Sequence, residues 1–358
     1  ASPSTPAMRS RIWRQAGGRP AAPGTDRAMQ PQATDSGDIP PLRIGLNAAI
    51  VAVSGRSPKI LCVPAESGIG EADGLPYDLF DPTRHRTFEA ALRHSVETQT
   101  ALHLGYVEQL YTFGDRDRHR RPGDENVHAV SVGYLALTRT DAEPGEALAK
   151  TGSRWRDWYS LFPWEDWRDG RPPVLDAVVL PRLAAWTSAS DTPNGTLRRQ
   201  ARVRLSFGLD DFPFDDERVL DRYQLLYEAG LVEESVADGR VAATGLSVPL
   251  GRAMRFDHRR IAATAVQRLR AKIKYRPVIF ELMPPDFTLT QLQTTVEAIS
   301  GRHLHKQNFR RLVEGAELVE PTGASSSATG GRPAALYRFR AKILEERPAP
   351  GLRLGGRG

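Results

Sequence analysis

FTLTQLQTTVEAISGRHLHKQNFRR, residues 287–311, reads as helix, turn and helix. The Thr288 hydroxyl stands where it can accept from a free helix N–H, and Phe287 precedes it as a staple residue would. Leu289, Leu292, Val296 and Ile299 recur at helical spacing and define one buried face. Gly301 is the natural terminator, because glycine takes positive φ without strain. A second short helix begins near His305. Its Phe309, Leu312 and Val313 face inward, while Lys306, Gln307, Arg310 and Arg311 face outward. Cationic side chains bind phosphate, and Gln, Asn and Arg read base edges. The next segment, LVEPTGASSSATGGRPAALYRFR (318–340), reads as a hairpin with a flexible Gly/Ser tip and a basic return strand. Two readings stand at this point: a winged helix that grips DNA, or an ordinary helical hairpin with a solvated basic face.

Charge favours the first. Residues 268–342 hold 13 Lys and Arg against 6 Asp and Glu, whereas the whole chain of 358 residues carries +6. The remainder is therefore close to neutral, and the positive field sits on the helix–turn–helix, as a polyanion partner requires.

The length allows two or three domains with proper cores. The single cysteine, Cys62, excludes an intrachain disulfide framework and fits a reducing, cytoplasmic compartment. No apolar run reaches the ~18–20 residues that span a bilayer, so no membrane partner is expected. The N-terminus lacks the apolar core of a secretory signal. Residues 1–40, rich in Pro, Gly, Ala, Arg and Ser, are expected to be disordered, as is the tail 346–358.

Along the rest of the chain, residues 42–53 and 59–63 carry strand signals across a Ser-Gly-Arg-Ser-Pro turn. Residues 85–102 read as a helix, with Phe88, Leu92 and Val96 on one face. Strands are expected at 110–114 and 129–138, with a charged loop between them. Five of the six tryptophans fall between 151 and 190: Trp155, Trp158, Trp164, Trp167 and Trp186. That segment is a lid, an interface core, or the packing of a helical domain extension. One helix is expected at about 216–228, capped by Asp215 and closed by Gly230. Another follows Asp257 as its cap, with Ile261, Ala265, Leu269 and Ile273 in one stripe and Pro277 ending it.

The order strand, strand, helix, strand, strand resembles the Nudix fold. YTFGDRDRHRRPGDENVHAVSVGYLAL (111–137) resembles the Nudix-related transcriptional regulators of bacterial NAD metabolism, the NrtR-like group. DHRRIAATAVQRLRAKIKYRPVIFELMPPDFTLTQLQTTVEAISGRHLHKQNFRRLVE (257–314), with LVEPTG and GRPAALYRFR after it, is similar to their last Nudix helix and winged helix nearly end to end. The long middle region is similar to that of the larger alphaproteobacterial members called NadQ. The resemblance covers about 42–165 and 250–342. It implies an α/β chain: a Nudix-like mixed sandwich over 41–275, with a Trp-rich helical extension and an insertion at about 170–250, and then a winged helix–turn–helix domain over 276–345.

Hydrolytic Nudix members carry GX5EX7REUXEEXGU, whose glutamates hold Mg²⁺ to activate water. Aligned on Arg93, this chain reads RHSVETQTA. His94 replaces the first core Glu, Glu97 fits the next, and Thr98, His85 and Leu79 replace the other Glu, the upstream Glu and the Gly. One carboxylate is a poor cage for a hard ion, so no metal and no hydrolysis are expected. Two histidines nine residues apart on one helix do not share a face, which argues against a substitute His site.

An inactive Nudix pocket still binds nucleotides. The resemblance implies NAD(H), ADP-ribose or ATP as a regulatory ligand, with no cofactor required. Asp115, Arg116 and Arg118 can meet ribose hydroxyls and phosphates. Tyr111 and Phe113 alternate along a strand and either stack a base or belong to the core. Arg93 and Glu97 serve the old site, or pair with each other across one turn. In the reader, relatives place Asp where His305 stands, and imidazole is a weaker cap. Lys306, Gln307, Asn308, Arg310 and Arg311 keep the family pattern. Gln307 and Arg310 are expected on bases; Arg311, Thr288, Thr290 and the wing residue Arg332 are expected on phosphates.

The whole reads as a nucleotide-responsive repressor of NAD biosynthesis genes, a homodimer on double-stranded operator DNA. The alternatives are a Nudix hydrolase with a rearranged metal site and an adaptor whose winged helix binds protein.

Overall fold

Two long strands, buried on both faces over most of their length, set the first layer. The computed structural model describes residues 41–64, 72–115, 128–140, 145–240, 250–326, 333–347 and 351–352. The expected tail 1–40, the charged loop 116–127, the hairpin tip 327–332 and most of the tail after 347 lie outside the described residues. Strands β1 (Leu42–Ser54), β2 (Ser57–Cys62) and β3 (Tyr77–Leu79) precede helix α1 (Phe88–Thr100). Strands β4 (Tyr106–Phe113) and β5 (His128–Leu137), helix α2 (Gly145–Lys150) and strand β6 (Arg154–Asp157) complete this part. The sheet runs β4-β5-β1-β2-β6, with β3 also on β1. β1 and β5 pair in parallel from Leu42↔His128 to Val51↔Leu137.

Side chains alternate across a strand, so each strand serves two layers. Leu46, Ala48 and Ile50 of β1, with Val132, Tyr134 and Ala136 of β5, pack on Ala91, Leu92 and Val96 of α1. Ala49, Val51, Leu135 and Leu137 point the other way, into a core that also holds Ile261, Ala265 and Leu269. These last three belong to a helix whose approach Gly133 permits: a Cβ there would stand 3.0 Å from Ile261 Cγ2.

Between the layers' ends runs a helical region: a π-helical turn (Leu175–Val179) into α3 (Leu180–Ser188), then α4 (Pro193–Phe207), α5 (Val219–Glu228), α6 (Glu233–Ala237) and α7 (His258–Lys272). The single helix expected near 216 is thus one of several, and α5 starts later, with Arg218 at its N-cap. Asp216 lies before the helix, where Lys274 and Arg302 bind it at 3.1 and 2.8 Å. Asp257 occupies the N-cap of α7 but makes no side-chain cap bond. Its carboxylate pairs with Arg260 at 3.0 Å instead.

The Trp-rich segment is packing. Trp158 and Trp164 are wholly buried and Trp167 nearly so, all in the α7-side core. Trp167 N–H donates to Gly301 O at 2.8 Å, and Tyr159 O–H donates to Ala298 O at 2.8 Å. Glu165, in the same segment, is 1% exposed and accepts from two buried guanidiniums. Arg222 of α5 donates to its Oε1 and Oε2 at 2.5 and 2.8 Å, and Arg270 of α7 donates to Oε2 at 2.7 Å.

Helix α8 (Leu289–Ser300) then starts after strand β7 (Phe287–Thr288). Helix α9 (Lys306–Ala316), strands β8 (Val319–Ser326) and β9 (Ala334–Phe339) and helix α10 (Ile343–Glu346) follow. Arg270 Nε donates to Ile299 O at the end of α8, at 3.0 Å. Beyond α10, the tail expected to be loose contributes one buried side chain, Leu352, whose N–H reaches Ile273 O at 3.2 Å.

Removing one partner of a buried ion pair leaves a charge without compensation, at a cost of about 3–5 kcal/mol. Glu165→Ala is expected to lower the unfolding free energy by about that much in urea titration. Burial pushes the Glu165 carboxyl up, but Arg222 and Arg270 outweigh it and hold it below its ordinary value of 4.5. Its folded value lies under its unfolded one, so its stabilisation is whole above pH 4.5 and fades as the pH falls through the folded value. Glu165→Gln should therefore flatten the acid limb of the stability curve.

Candidate nucleic-acid interface and adjoining cavities

The helix–turn–helix forms as its caps dictate. Thr288 Oγ1 accepts from Gln291 N at 3.2 Å, and Gln291 Oε1 accepts from Thr288 N at 2.7 Å, a reciprocal capping box. Gly301 ends α8 at φ 69°, and a Cβ there would lie 2.6 Å from Glu165 O, so both the backbone angle and the space exclude a side chain. His305 precedes α9 and offers no side-chain cap bond. Phe309 and Val313 are buried, and Leu312 partly so. Lys306, Gln307, Asn308, Arg310 and Arg311 are all exposed on the outer face of α9. Asn308 Oδ1 accepts from Arg311 Nη2 at 2.7 Å, which steadies that guanidinium.

Strand β7 pairs with β9 at Phe287↔Tyr337, and β8 pairs with β9 from Val319↔Phe339 to Ser326↔Ala334. Two helices and this three-stranded antiparallel sheet make a winged helix. Thr290 is exposed at the start of α8, whereas the Thr288 hydroxyl is engaged in the cap. Arg332 lies outside the described residues.

The first cavity, about 350 Å³, opens over α1. Asp78, Asp81, Arg84, His85, His94 and Thr98 are among its walls, and neither Arg93 nor Glu97 is. Arg93 pairs backward with Glu89 at 2.9 Å rather than forward with Glu97, and it also donates to Gly105 O at 3.1 Å. Glu97 lies 3.5 Å from His103. The two histidines do not share a helix as expected: α1 begins at Phe88, so His85 belongs to the turn before it, and the His85 and His94 ring centroids are 5.2 Å apart.

A Mg²⁺ ion needs several oxygen ligands. α1 offers this cavity imidazole, hydroxyl and amide groups but no carboxylate. Of the cavity's own carboxylates, Asp81 accepts from both the hydroxyl and the N–H of Thr83, which hold it below the usual carboxylate range. The donor set does not fit a Nudix metal. Among the described residues the converging acidic group is Asp215, Asp216 and Glu217, and Lys274 and Arg302 reach into it. Cys62 offers no nucleophile either, since burial, then Asp73, push its thiol up to about 12.

The second cavity is a cleft of about 770 Å³ between β4 and helices α4, α5 and α7. Tyr111, Phe113 and Asp115 all line it, while Arg116 and Arg118 lie outside the described residues. Phe113 is a core residue, 2% exposed, and Tyr111 is 61% exposed, its ring edge-on to Phe113 at 5.3 Å. Sequence reading missed the arginines opposite. Arg260 bonds Asp115 and lies over the Phe113 ring at 5.0 Å. Arg268 donates to Glu108 at 2.8 Å, and Arg202 grips Glu228 with two nitrogens. The only sequence signal was the run of basic residues on α4 and α7, which reads equally well as a solvated face.

The winged helix has a family match: residues 279–339 fit the NrtR DNA-binding winged helix domain. Over 84 residues the chain is 46% identical to the ADPR responsive transcriptional repressor NtrR of Acinetobacter baylyi (strain ATCC 33305 / BD413 / ADP1). That match covers 24% of this chain and 33% of the relative, so the chain spans about a third of its length. The crystal structure of Shewanella oneidensis NrtR complexed with a 27mer DNA superposes with a TM-score of 0.50 at 20% identity, over 84% of this chain and 95% of that one. A MutT/nudix family protein from Enterococcus faecalis gives a TM-score of 0.47 at 15% identity, over 84% of this chain and 88% of that one. The chain is thus NrtR-like, a Nudix-like mixed α/β sandwich with a helical extension, ending in an NrtR-type DNA-binding winged helix.

Proposed function

We propose that this chain is a transcriptional repressor of NAD biosynthesis genes, in which the Nudix-like part senses a nucleotide and the winged helix holds operator DNA. One observation carries the reading: α9 presents Lys306, Gln307, Asn308, Arg310 and Arg311 outward from a buried Phe309–Val313 seam, inside a segment that matches a DNA-binding family. In this reading Gln307 and Arg310 read base edges. Lys306, Arg311, Thr290 and the wing meet phosphates, and Asn308 orients Arg311. Thr288 acts through the cap of α8. Two copies present two recognition helices to half-sites about 34 Å apart, so a small rotation between domains abolishes simultaneous docking. The Acinetobacter relative is described as ADPR responsive, which supports ADP-ribose over NAD(H) and ATP as the effector in this reading. A repressor of this kind works in the cytoplasm. Among the described residues no helix is long and apolar enough to cross a membrane.

The enzyme reading is the second one, because the sandwich is Nudix-like. The carboxylate-free wall that α1 gives its cavity argues against Mg²⁺-dependent hydrolysis.

A gel shift with DNA from upstream of the chain's own gene, titrated with ADP-ribose, NAD, NADH and ATP, separates the two. The expected result is a specific complex that ADP-ribose alters, with the nucleotide recovered intact. No specific complex together with metal-dependent breakdown would replace the repressor with a hydrolase. In the same assay Arg310→Ala is expected to cost about 1–3 kcal/mol of operator affinity. Arg311→Ala should weaken all sequences alike and reduce the slope of log affinity against log salt by about one.

A further inference from the structure

The two cavities differ in what they touch. α1, under the smaller one, packs on β1 and β3. The larger cleft is walled by α5 and α7, the two helices that supply Arg222 and Arg270 to Glu165. From that node Arg270 continues to Ile299 O, the last turn of α8. On α5, cleft residues Asp221 and Gln224 flank Arg222. On α7, cleft residues Gln267 and Arg268 immediately precede Arg270. A group seated between α5 and α7 therefore bears on the two helices that hold Glu165, one of which, α7, also holds the end of α8.

The cleft's chemistry fits a phosphorylated nucleoside. Its 770 Å³ lies within the range of small-molecule sites. Tyr111, 61% exposed at the sheet edge and held edge-on to Phe113, offers a ring on which a base can stack. Arg202, Arg218, Arg240, Arg260 and Arg268 line the same cleft and carry forked donors suited to phosphate oxygens. Asp115 and Asp221 can accept from ribose hydroxyls.

The geometry points to this cleft, rather than the cavity over α1, as the seat of the nucleotide effector, with the base on Tyr111 and the phosphates on the arginines of α4, α5 and α7. The inference rests on the reading of the chain as a nucleotide-responsive repressor. Ligand phosphates compete with Glu108 for Arg268 and with Glu228 for Arg202, which shifts α7 and α4 against β4. The displacement passes through Arg270 to α8. The effector thus changes the winged helix through the insertion helices, not through the degenerate α1 site.

The test measures ADP-ribose binding by calorimetry on the full chain, and its effect on the operator complex, in four proteins: wild type, Tyr111→Ala, Arg268→Ala and His94→Ala. Tyr111 is exposed, and Glu108 keeps Lys272 at 2.5 Å when Arg268 is lost, so both cleft variants should melt like wild type. The cleft variants are expected to bind ADP-ribose at least about tenfold more weakly, to bind operator normally without it, and to lose the response. His94→Ala, in the α1 cavity, should behave as wild type. If His94→Ala loses the nucleotide and the cleft variants keep it, the effector sits over α1 and this inference falls while the repressor reading stands. If wild type binds no ADP-ribose and its operator complex ignores it, both fall.

Discussion

Glu165 is one carboxylate shared by two guanidiniums, all three almost fully withdrawn from water. In a low-dielectric interior such a group persists only when every donor has an acceptor. The surplus positive charge is met nearby: Arg222 also donates to Ser206 O and Asp215 O at 2.8 Å each, and Arg270 to Asp216 O and Ile299 O at 3.0 Å. Six segments thus become mutually dependent: the tryptophan-rich turn, the end of α4, the loop before α5, α5 itself, α7 and the end of α8. A pair of this kind adds little net stability over an apolar core, but it fixes one geometry, and here the geometry is that of the winged helix against the sandwich. Gly301 records the same constraint, since its Cα lies too close to Glu165 O for any side chain.

The division of labour follows. The sheet has two apolar faces because β1 and β5 alternate, and each face takes one helix. The α1 face carries a cavity to which α1 gives no carboxylate: Glu97 turns toward His103, and His85 and His94 line the wall. The α7 face gains the inserted helices and, with them, a cleft and a clamp. On that side the sandwich joins the winged helix through α7, whose Arg270 reaches Ile299 O at 3.0 Å.

Much of this was legible in the sequence where the signals are local. Thr288 and Gly301 mark the two ends of α8, and the spacing of Phe309 and Val313 identifies the face of α9 that must be hidden, leaving Lys306, Gln307, Arg310 and Arg311 outside. The β-branched and aromatic run of β5 announces a buried strand. What escaped depends on contacts far along the chain. β3 and β6 are short and gain strand character only from β1 and β2. α4 carries four arginines and buries only Val203, Ser206 and Phe207, so its periodicity is faint. His85 was placed on a helix that begins after it. The cleft arginines share a cavity with Tyr111 across more than 90 residues of chain, a placement no spacing rule encodes. Tyr111 and Phe113 were weighed alike for stacking or core, and only the fold separates them.

Amide hydrogen exchange on the full chain, with and without ADP-ribose, tests the central claim most directly: that the sandwich controls the DNA reader through the Arg222–Glu165–Arg270 node. The account predicts that the nucleotide changes protection in α5, in α7 and in the last turn of α8, around Ala298 to Ser300, with α1 unchanged. Changes confined to α1 and β3, with α8 exchanging as before, would contradict it.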